Sequence, residues 1–360
     1  MVTTYDTLMT VLFRWIFLST LSRVAAITFA VILIFTTVES VDKAKFLGNG
    51  LDVQTLLEYL LLKIPFMISE FMPVIILIGV AIYILEISHH HELAALRAAG
   101  VTFVTLLKPL LAAGAVVGLL MFVIGEWVEP LVNKRLGYIE RVHIKKEKPL
   151  EHGVQWLKEG NTFLRLTPLT QPFFSVLMIT KGDDGLWQEY LDAGRGRFEQ
   201  GQWHLENVYV SKPNQNKGFA THFVENTSVS LNLSPKTAAS PDPRDMTWAE
   251  LRQFEKDLAE AGLESHTYMF QLQRKLAVPL SCLIMVMLAY SLCSSMGERV
   301  NANSKGLVIS ITVGLAFYVL GSAMNVYITG QELPVIYGVW FPNILFLGLA
   351  VYLLLKKEGY

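Results

Sequence analysis

The chain has no Gly-rich phosphate loop ending in Lys-Ser/Thr, no nucleophile elbow and no His-Glu-x-x-His helix. The common motif-borne routes to nucleotide hydrolysis, acyl transfer and zinc chemistry are therefore closed to it. Cysteine is nearly missing. The two present, Cys282 and Cys293, share one helical stretch about 16 Å apart along its axis and cannot reach each other, so no disulfide holds the fold. Net charge is missing as well: 30 basic against 31 acidic residues leave −1, which gives no overall pull toward nucleic acid. Charge of either sign is scarce, at 17% of residues against about 25% in soluble domains.

Apolar residues fill the space that charge leaves, with 52% hydrophobic residues and a mean hydropathy of +0.41. A bilayer crossing takes about 20 mostly apolar residues, and stretches near 17–38, 64–86, 103–125, 270–293, 306–327 and 335–355 meet that length. The first follows a segment holding Arg14 and Trp15, has no small-residue cleavage pattern after it, and is too long for a signal-peptide core, so it reads as a retained helix. Short-loop charges set the orientation. Arg14, Arg23, Arg97, Lys108, Arg299, Lys305, Lys356 and Lys357 fall on one side, whereas Lys43 and Lys45 on the other are offset by Glu39, Asp42, Asp52 and Glu332. Both termini are predicted cytoplasmic, with the polar block outside. The expected domains are 1–127 (three spans), 128–265 (the outer domain) and 266–360 (three more spans).

Within the polar block, residues 155–233 form short β-prone runs punctuated by Gly, Pro, Asn and Asp, the pattern of an antiparallel sandwich or jelly roll. Gly182-Asp183-Asp184-Gly185 and Glu199-Gln200-Gly201-Gln202 are candidate hairpin turns. Alternation around Trp203, Leu205 and Val208 to Val210 predicts one apolar face. A sandwich left open on that face could hold lipid, and a closed one would be a scaffold; the sequence leaves both open. Ser234 to Arg244 reads as a linker, and Thr247-Trp248-Ala249-Glu250 as a capping box that starts a helix.

Few side chains invite chemistry. Consecutive His89, His90 and His91 would point about 100° apart on a helix, so a solvated loop is favoured over a metal site, and Asp183 and Asp184 in their turn are read as solvent-facing. The segment Glu86 to Thr102 is built of helix formers and stopped by Gly100. Leu93, Leu96 and Gly100 recur at i, i+3 and i+7, with Glu92 and Arg97 available to a partner protein; a plain turn between spans would need fewer residues. Charges in or near spans are costly and so are candidates: Lys63, Glu70 and Glu126. Lys43, Lys45 and Lys63 suit a phosphorylated headgroup, or simply snorkel. Pro65, Pro73 and Pro279 either kink spans or are ordinary membrane-helix prolines.

Glu92-Leu93, Ala98-Ala99-Gly100, Ile124-Gly125-Glu126-Trp127-Val128 followed by Pro130, and Gly160-Asn161-Thr162-Phe163 together resemble the lipopolysaccharide-export permease family. Of its sister types, LptF and LptG, the stretches Gly125-Glu126-Trp127-Val128 and Trp156 to Asn161 look more like LptG. The resemblance covers the whole chain and implies six transmembrane α-helices plus an extracytoplasmic, all-β jelly-roll-like domain between helices 3 and 4. It implies an inner-membrane permease subunit of an ABC transporter, with no nucleotide site, cofactor or metal of its own. Such a subunit extracts lipopolysaccharide and passes it to a periplasmic bridge toward the outer membrane.

The implied partners are an LptF-like sister permease, a dimeric cytoplasmic ATPase, a single-span bridge protein of the LptC type and a β-jelly-roll bridge protein. The coupling helix would span about residues 86–100. Glu92 would meet the ATPase, beside Leu93, Leu96, Arg97 and Gly100. Spans one and five would form lateral gates. Phe317 and Tyr318 match aromatic positions facing the lipid cavity, and Lys43, Lys45 and Lys63 are the candidate lipid-binding cations. Glu39 departs from the pattern by standing where familiar members have a basic residue, so either Lys43 or Lys45 would supply the cation or the phosphates would be gripped differently. The alternatives are the LptF-type sister, a lipoprotein exporter, whose four-span layout the spacing contradicts, and a non-transporting scaffold for periplasmic partners.

Overall fold

The computed structural model describes residues 2–48, 51–144, 155–159, 161–169, 173–182, 186–199, 202–214, 218–230, 242–260, 265–294, 302–330 and 333–358. Asp183, Asp184, Gly185, Gly160, Gln200, Gly201, the linker stretch 234–241, Arg299 and Glu332 lie outside them. The chain divides into two compact units, one of Met1–Ile139, Arg244–Leu251 and His266–Tyr360, the other of Glu140–Pro243 and Arg252–Ser265.

Among the described residues six helices are long and apolar enough to cross a membrane. Helix α1 is Val2–Ala44, α2 Val53–His89, α3 the short Glu92–Ala98, and α4 Phe103–Val123. A π-helical turn, Ile124–Val128, carries α4 into α5, Glu129–Ile139. After the β-strands come α6 (Trp248–Glu260), α7 (His266–Cys293), α8 (Ala302–Thr329) and α9 (Val335–Glu358). All six expected spans are present, but the helices outrun them. Helix α2 begins well before residue 64 and carries Pro65 and Pro73 inside it without ending.

Helices α2 and α7 are mostly buried, and with α4 they form the core, where Ile76, Leu77, Val80, Leu110, Met285 and Leu288 are fully enclosed. Small residues permit the approach. A Cβ on Gly118 would lie 2.8 Å from the carbonyl oxygen of Pro279, so α4 and α7 touch backbone to backbone, as membrane helices do at small-residue seams. Polar pairs fasten α9 to α7: Ser281 donates to Asn343 at 2.7 Å in a buried contact, and the half-buried Trp340 donates to Gln273 at 3.1 Å. By contrast, only 6% of the apolar window of α1 and 11% of that of α8 is buried.

The outer domain is, among the described residues, a six-stranded antiparallel sheet in sequence order: β1 Gln155–Glu159, β2 Thr162–Pro168, β3 Phe174–Lys181, β4 Trp187–Glu199, β5 Gln202–Asn214 and β6 Gly218–Ser230. The expected all-β domain is thus realised as a meander that turns a corner. Cross-strand neighbours line one apolar face: Leu164 to Met178 to Leu191 to Val210, and Phe198 to Trp203 to Val229. Alternation skips a beat along one line, where Gly194 and Arg195, Glu206 and Asn207, and Glu225 and Asn226 all face outward as consecutive pairs. Asn207 takes a left-handed φ of 56° there, a conformation asparagine tolerates better than most residues. Bending the long strands at this line turns both halves of each toward one cluster around the fully buried Trp203.

The capping box forms in full. The Thr247 backbone N–H donates to the Glu250 carboxylate at 2.8 Å, and the Glu250 N–H donates to the Thr247 hydroxyl at 3.3 Å. One face of α6, Leu251, Phe254 and Leu258, is buried.

Two predictions follow from this packing. A Cβ on Gly196 would stand 2.5 Å from Val176 Cγ2 and 2.8 Å from Leu205 Cδ2, whereas one on Gly194 would make only ordinary contact with Asn207. Gly196→Ala is expected to destabilise the β-domain by about 1–3 kcal/mol and Gly194→Ala by less than about 0.5 kcal/mol. Limited proteolysis of the whole protein should cut the first variant faster, and equal rates would refute the packing argument. The second concerns pH. Donation from Thr247 holds the Glu250 carboxyl below its usual range, so its stabilisation is full above the unfolded value of about 4.3 and is lost as pH falls through the lower folded value. The melting-temperature gap between the protein and its Glu250→Gln variant should stay constant while pH remains well above the unfolded value of about 4.3 and shrink as pH falls below it; a gap that widens on acidification would contradict the sign.

Candidate functional site

The loop between the second and third spans is where the sequence places a partner contact, and its local structure is tightly specified. Helix α2 runs on through His89. His91 then takes a left-handed φ of 58°, and α3 starts at Glu92. The expected helix over 86–100 is therefore split in two: its first four residues, Glu86 to His89, end α2, and only seven form α3. Gly100, at φ +84°, ends α3. The Val101 N–H donates to the Leu96 carbonyl and the Gly100 N–H to the Arg97 carbonyl, both at 3.0 Å, which is the Schellman arrangement that needs a glycine-tolerant position.

Leu93 is buried and Leu96 half-buried against the bundle core, whereas Glu92 is exposed. Arg97 does not simply face outward. Its Nη2 donates at 3.2 Å to the carbonyl of Ser294, just past the end of α7, where a cation also meets the negative end of the helix dipole. At the base of α4, the Tyr290 hydroxyl of α7 donates to the Phe103 carbonyl at 2.9 Å. Helix α3 is thus gripped from α2 and α7, with one carboxylate presented outward. No group of three or more His, Cys, Asp or Glu residues suited to a metal is found among the described residues, and His89 and His90 pack ring against ring.

The three candidate lipid-binding lysines lie at the other end of α1 and α2, and each is engaged by a neighbouring carboxylate or ring. Lys43 pairs with Asp42 at 3.0 Å and Glu39 at 3.7 Å; Lys45 pairs with Asp42 at 2.8 Å. Lys63 lies over the Tyr59 and Phe66 rings, and Lys43 over Tyr59. The buried Tyr59 donates its hydroxyl to Glu39 at 2.8 Å. Glu39 is therefore the anchor of this cluster.

Phe317 and Tyr318 diverge, as neighbours on a helix must. Phe317 meets Phe346 edge-on and packs into the core, whereas Tyr318 stacks on Phe71 at 5.3 Å, which stacks on Phe35 at 4.3 Å. That column joins α1, α2 and α8.

The lone charges of the spans find partners that sequence reading missed: Glu70 pairs with Arg274, and Glu126 with Lys275 at 3.2 Å. The rule that intramembrane charges pair was the available signal; which cation each carboxylate takes was not readable. Beside them lies a cavity of about 30 Å³ lined by Ser69, Gln271, Arg274 and Lys275 among others. The Ser69 hydroxyl is buried without a partner. At that volume it has room for a water or two.

Comparison with known proteins agrees with this layout. The model of the lipopolysaccharide export system permease LptF/LptG family matches residues 14–356. The lipopolysaccharide export system permease protein LptG of Escherichia coli K12 is 23% identical over 97% of this chain and 99% of its own length. LptG of Haemophilus influenzae is 22% identical over 96% and 98%. With six apolar helices, a β-sheet inserted after the third, and a family match across nearly the whole sequence, this chain belongs to the LptF/LptG family of lipopolysaccharide export permeases.

Proposed function

We propose that this chain is the LptG-like permease subunit of an inner-membrane ABC transporter that extracts lipopolysaccharide and passes it toward the outer membrane, driven by a separate ATPase dimer. The observation that carries the coupling role is Glu92. It is the exposed carboxylate of a helix whose other contacts, Leu93, Leu96 and Arg97, are made inward to the bundle. A partner that engages Glu92 pushes on α2 and α7 together, and through them on the core. The short-loop lysines and arginines support placing α3 and both termini in the cytoplasm and the β-domain in the periplasm.

The sister permease would cover the apolar faces that α1 and α8 leave open, with lipid entering beside them. Tyr318 and the stacked Phe71 and Phe35 would meet acyl chains, and the Lys43, Lys45 and Lys63 cluster the phosphates. Domains of the LptC kind and the β-jelly-roll bridge would receive lipid from the periplasmic domain. The same reading gives this chain no nucleotide site.

Glu92→Ala should leave the complex assembled but lower lipopolysaccharide-stimulated ATP hydrolysis by roughly tenfold or more, the weight of one charge-assisted contact. Hydrolysis by the purified complex in the presence and absence of lipopolysaccharide measures this. Full stimulation in the variant would remove Glu92 from the coupling role. If no ATPase co-purifies with the wild-type chain, the scaffold reading replaces the transporter.

A further inference from the structure

Helix α1 is attached to the rest of the bundle along a narrow strip. Its buried side chains among the described residues are Ile16, Thr20 and Val24, one stripe at four-residue spacing. At Val24 the approach is close enough that a Cβ on Gly79 of α2 would stand 2.8 Å from Val24 Cγ2. The rest of the helix exposes large apolar residues such as Phe29, Leu33 and Val38.

Beside that stripe sits a polar contact that packing does not require. Arg23 donates from Nε and Nη2 to one oxygen of Glu86, at 2.9 and 2.8 Å, and from Nη1 to the Ser19 carbonyl at 3.1 Å. Its guanidinium carbon lies 5.5 Å over the ring of Tyr83, whose other neighbour is the edge-on Trp15. Tyr83 is buried and its hydroxyl has no hydrogen-bond partner, so the ring serves here as a platform for the cation and the indole.

Glu86 stands in the last turn of α2, and its backbone carbonyl accepts the N–H of His90 at the break before α3. One residue therefore holds the junction of α2 and α3 through its backbone and α1 through its side chain. The Arg23 and Glu86 side chains remain 31% and 44% exposed. An ion pair so placed adds little to stability, and its geometry, rather than its strength, calls for an explanation.

We infer that Arg23 is a positioning residue that transmits displacement of α3 to α1, so that movement of the short helix is converted into movement of the most loosely packed span. The inference rests on the proposed coupling role of α3. A push on α3 tilts the end of α2, Glu86 moves with it, and the fork of Arg23 over the Tyr83 ring carries α1 along. Without the ion pair, α3 and α1 would still be present and folded, but at the α3 end α1 would follow through the Ile16, Thr20 and Val24 stripe alone, with no polar link to the end of α2.

The test uses the complete transporter reconstituted with its partner subunits and measures lipopolysaccharide extracted per ATP hydrolysed in Arg23→Gln, Glu86→Gln and the exchanged Arg23→Glu/Glu86→Arg pair. Each single variant is expected to assemble, to hydrolyse ATP within about twofold of wild type, and to extract at least about fivefold less lipid per ATP. The exchanged pair should recover most of that yield. A wild-type yield in Arg23→Gln, or no recovery in an exchanged pair that assembles normally, overturns the inference. If Arg23→Gln keeps the wild-type yield while Glu92→Ala loses lipopolysaccharide-stimulated hydrolysis, this inference alone falls. If Arg23→Gln keeps the yield and Glu92→Ala keeps full stimulation, the coupling role of α3 falls with it.

Discussion

A chain that leaves an apolar bundle for a soluble domain of about a hundred residues has to bring its outgoing and returning helices to one place, and Glu126 does this. The carboxylate lies in the π-helical turn that ends α4. It accepts the backbone N–H of Trp248, at the start of α6, at 2.8 Å, and the ammonium of Lys275 on α7 at 3.2 Å. Lys275 in turn donates to the Met246 carbonyl at 2.7 Å. Both side chains are nearly buried, at 14% and 10% exposed. Breaking such a pair by deleting one partner leaves an uncompensated charge, at a cost of about 3–5 kcal/mol. Glu126 lies in a π-helical turn, and such turns are frequent at functional sites within helices.

Around that fixed point, burial is distributed very unevenly. Core packing concentrates on α2, α4 and α7, with α9 tied to α7 by side-chain hydrogen bonds. Helix α1 meets α2 through Arg23 and Glu86, through Val24 and Gly79, through the Phe35 to Phe71 stack, and through Tyr59 and Glu39. Along α2 these contacts form a single seam, and much of the remaining surface of α1 is apolar and open. In a membrane such a surface is covered by lipid or by another helix. The stacking of Tyr318 on Phe71 ties α8 to the same seam, so the two most exposed spans share one attachment line on α2.

The six spans, the inserted β-domain and the capping box were legible in the sequence because each depends on local pattern alone: apolar length, alternation, or a four-residue motif. Helix ends were less so. Hydropathy marks where apolar residues stop, while α2 and α5 continue as polar helix beyond that limit, as at Glu58, which pairs with Arg135. The break at His91 was hidden because no glycine marks it. The skipped alternation at Gly194 and Asn207 was hidden because a period-2 reading treats a bend as noise. For the candidate site, the sequence could flag Glu70, Glu126 and Lys63 as costly charges. It could not supply their partners, since 204 positions separate Glu70 from Arg274 and 149 separate Glu126 from Lys275.

The shortness of α3 bears on what it can do. Seven residues are too few to hold a helix in water, where nucleation costs more than one turn returns. Its stability comes instead from Leu93 in the core, the Schellman closure at Gly100, and the bond from Arg97 to the end of α7. The helix is therefore ordered before any partner arrives, and a partner spends none of its binding energy on folding it. On the proposed reading, that energy is available to move α2 and α7. Because both helices belong to the packed core, and α7 also carries Lys275 of the junction at Glu126, displacement applied at Glu92 enters the most rigid part of the bundle first. It reaches the loosely attached α1 last, through the seam that begins at Glu86.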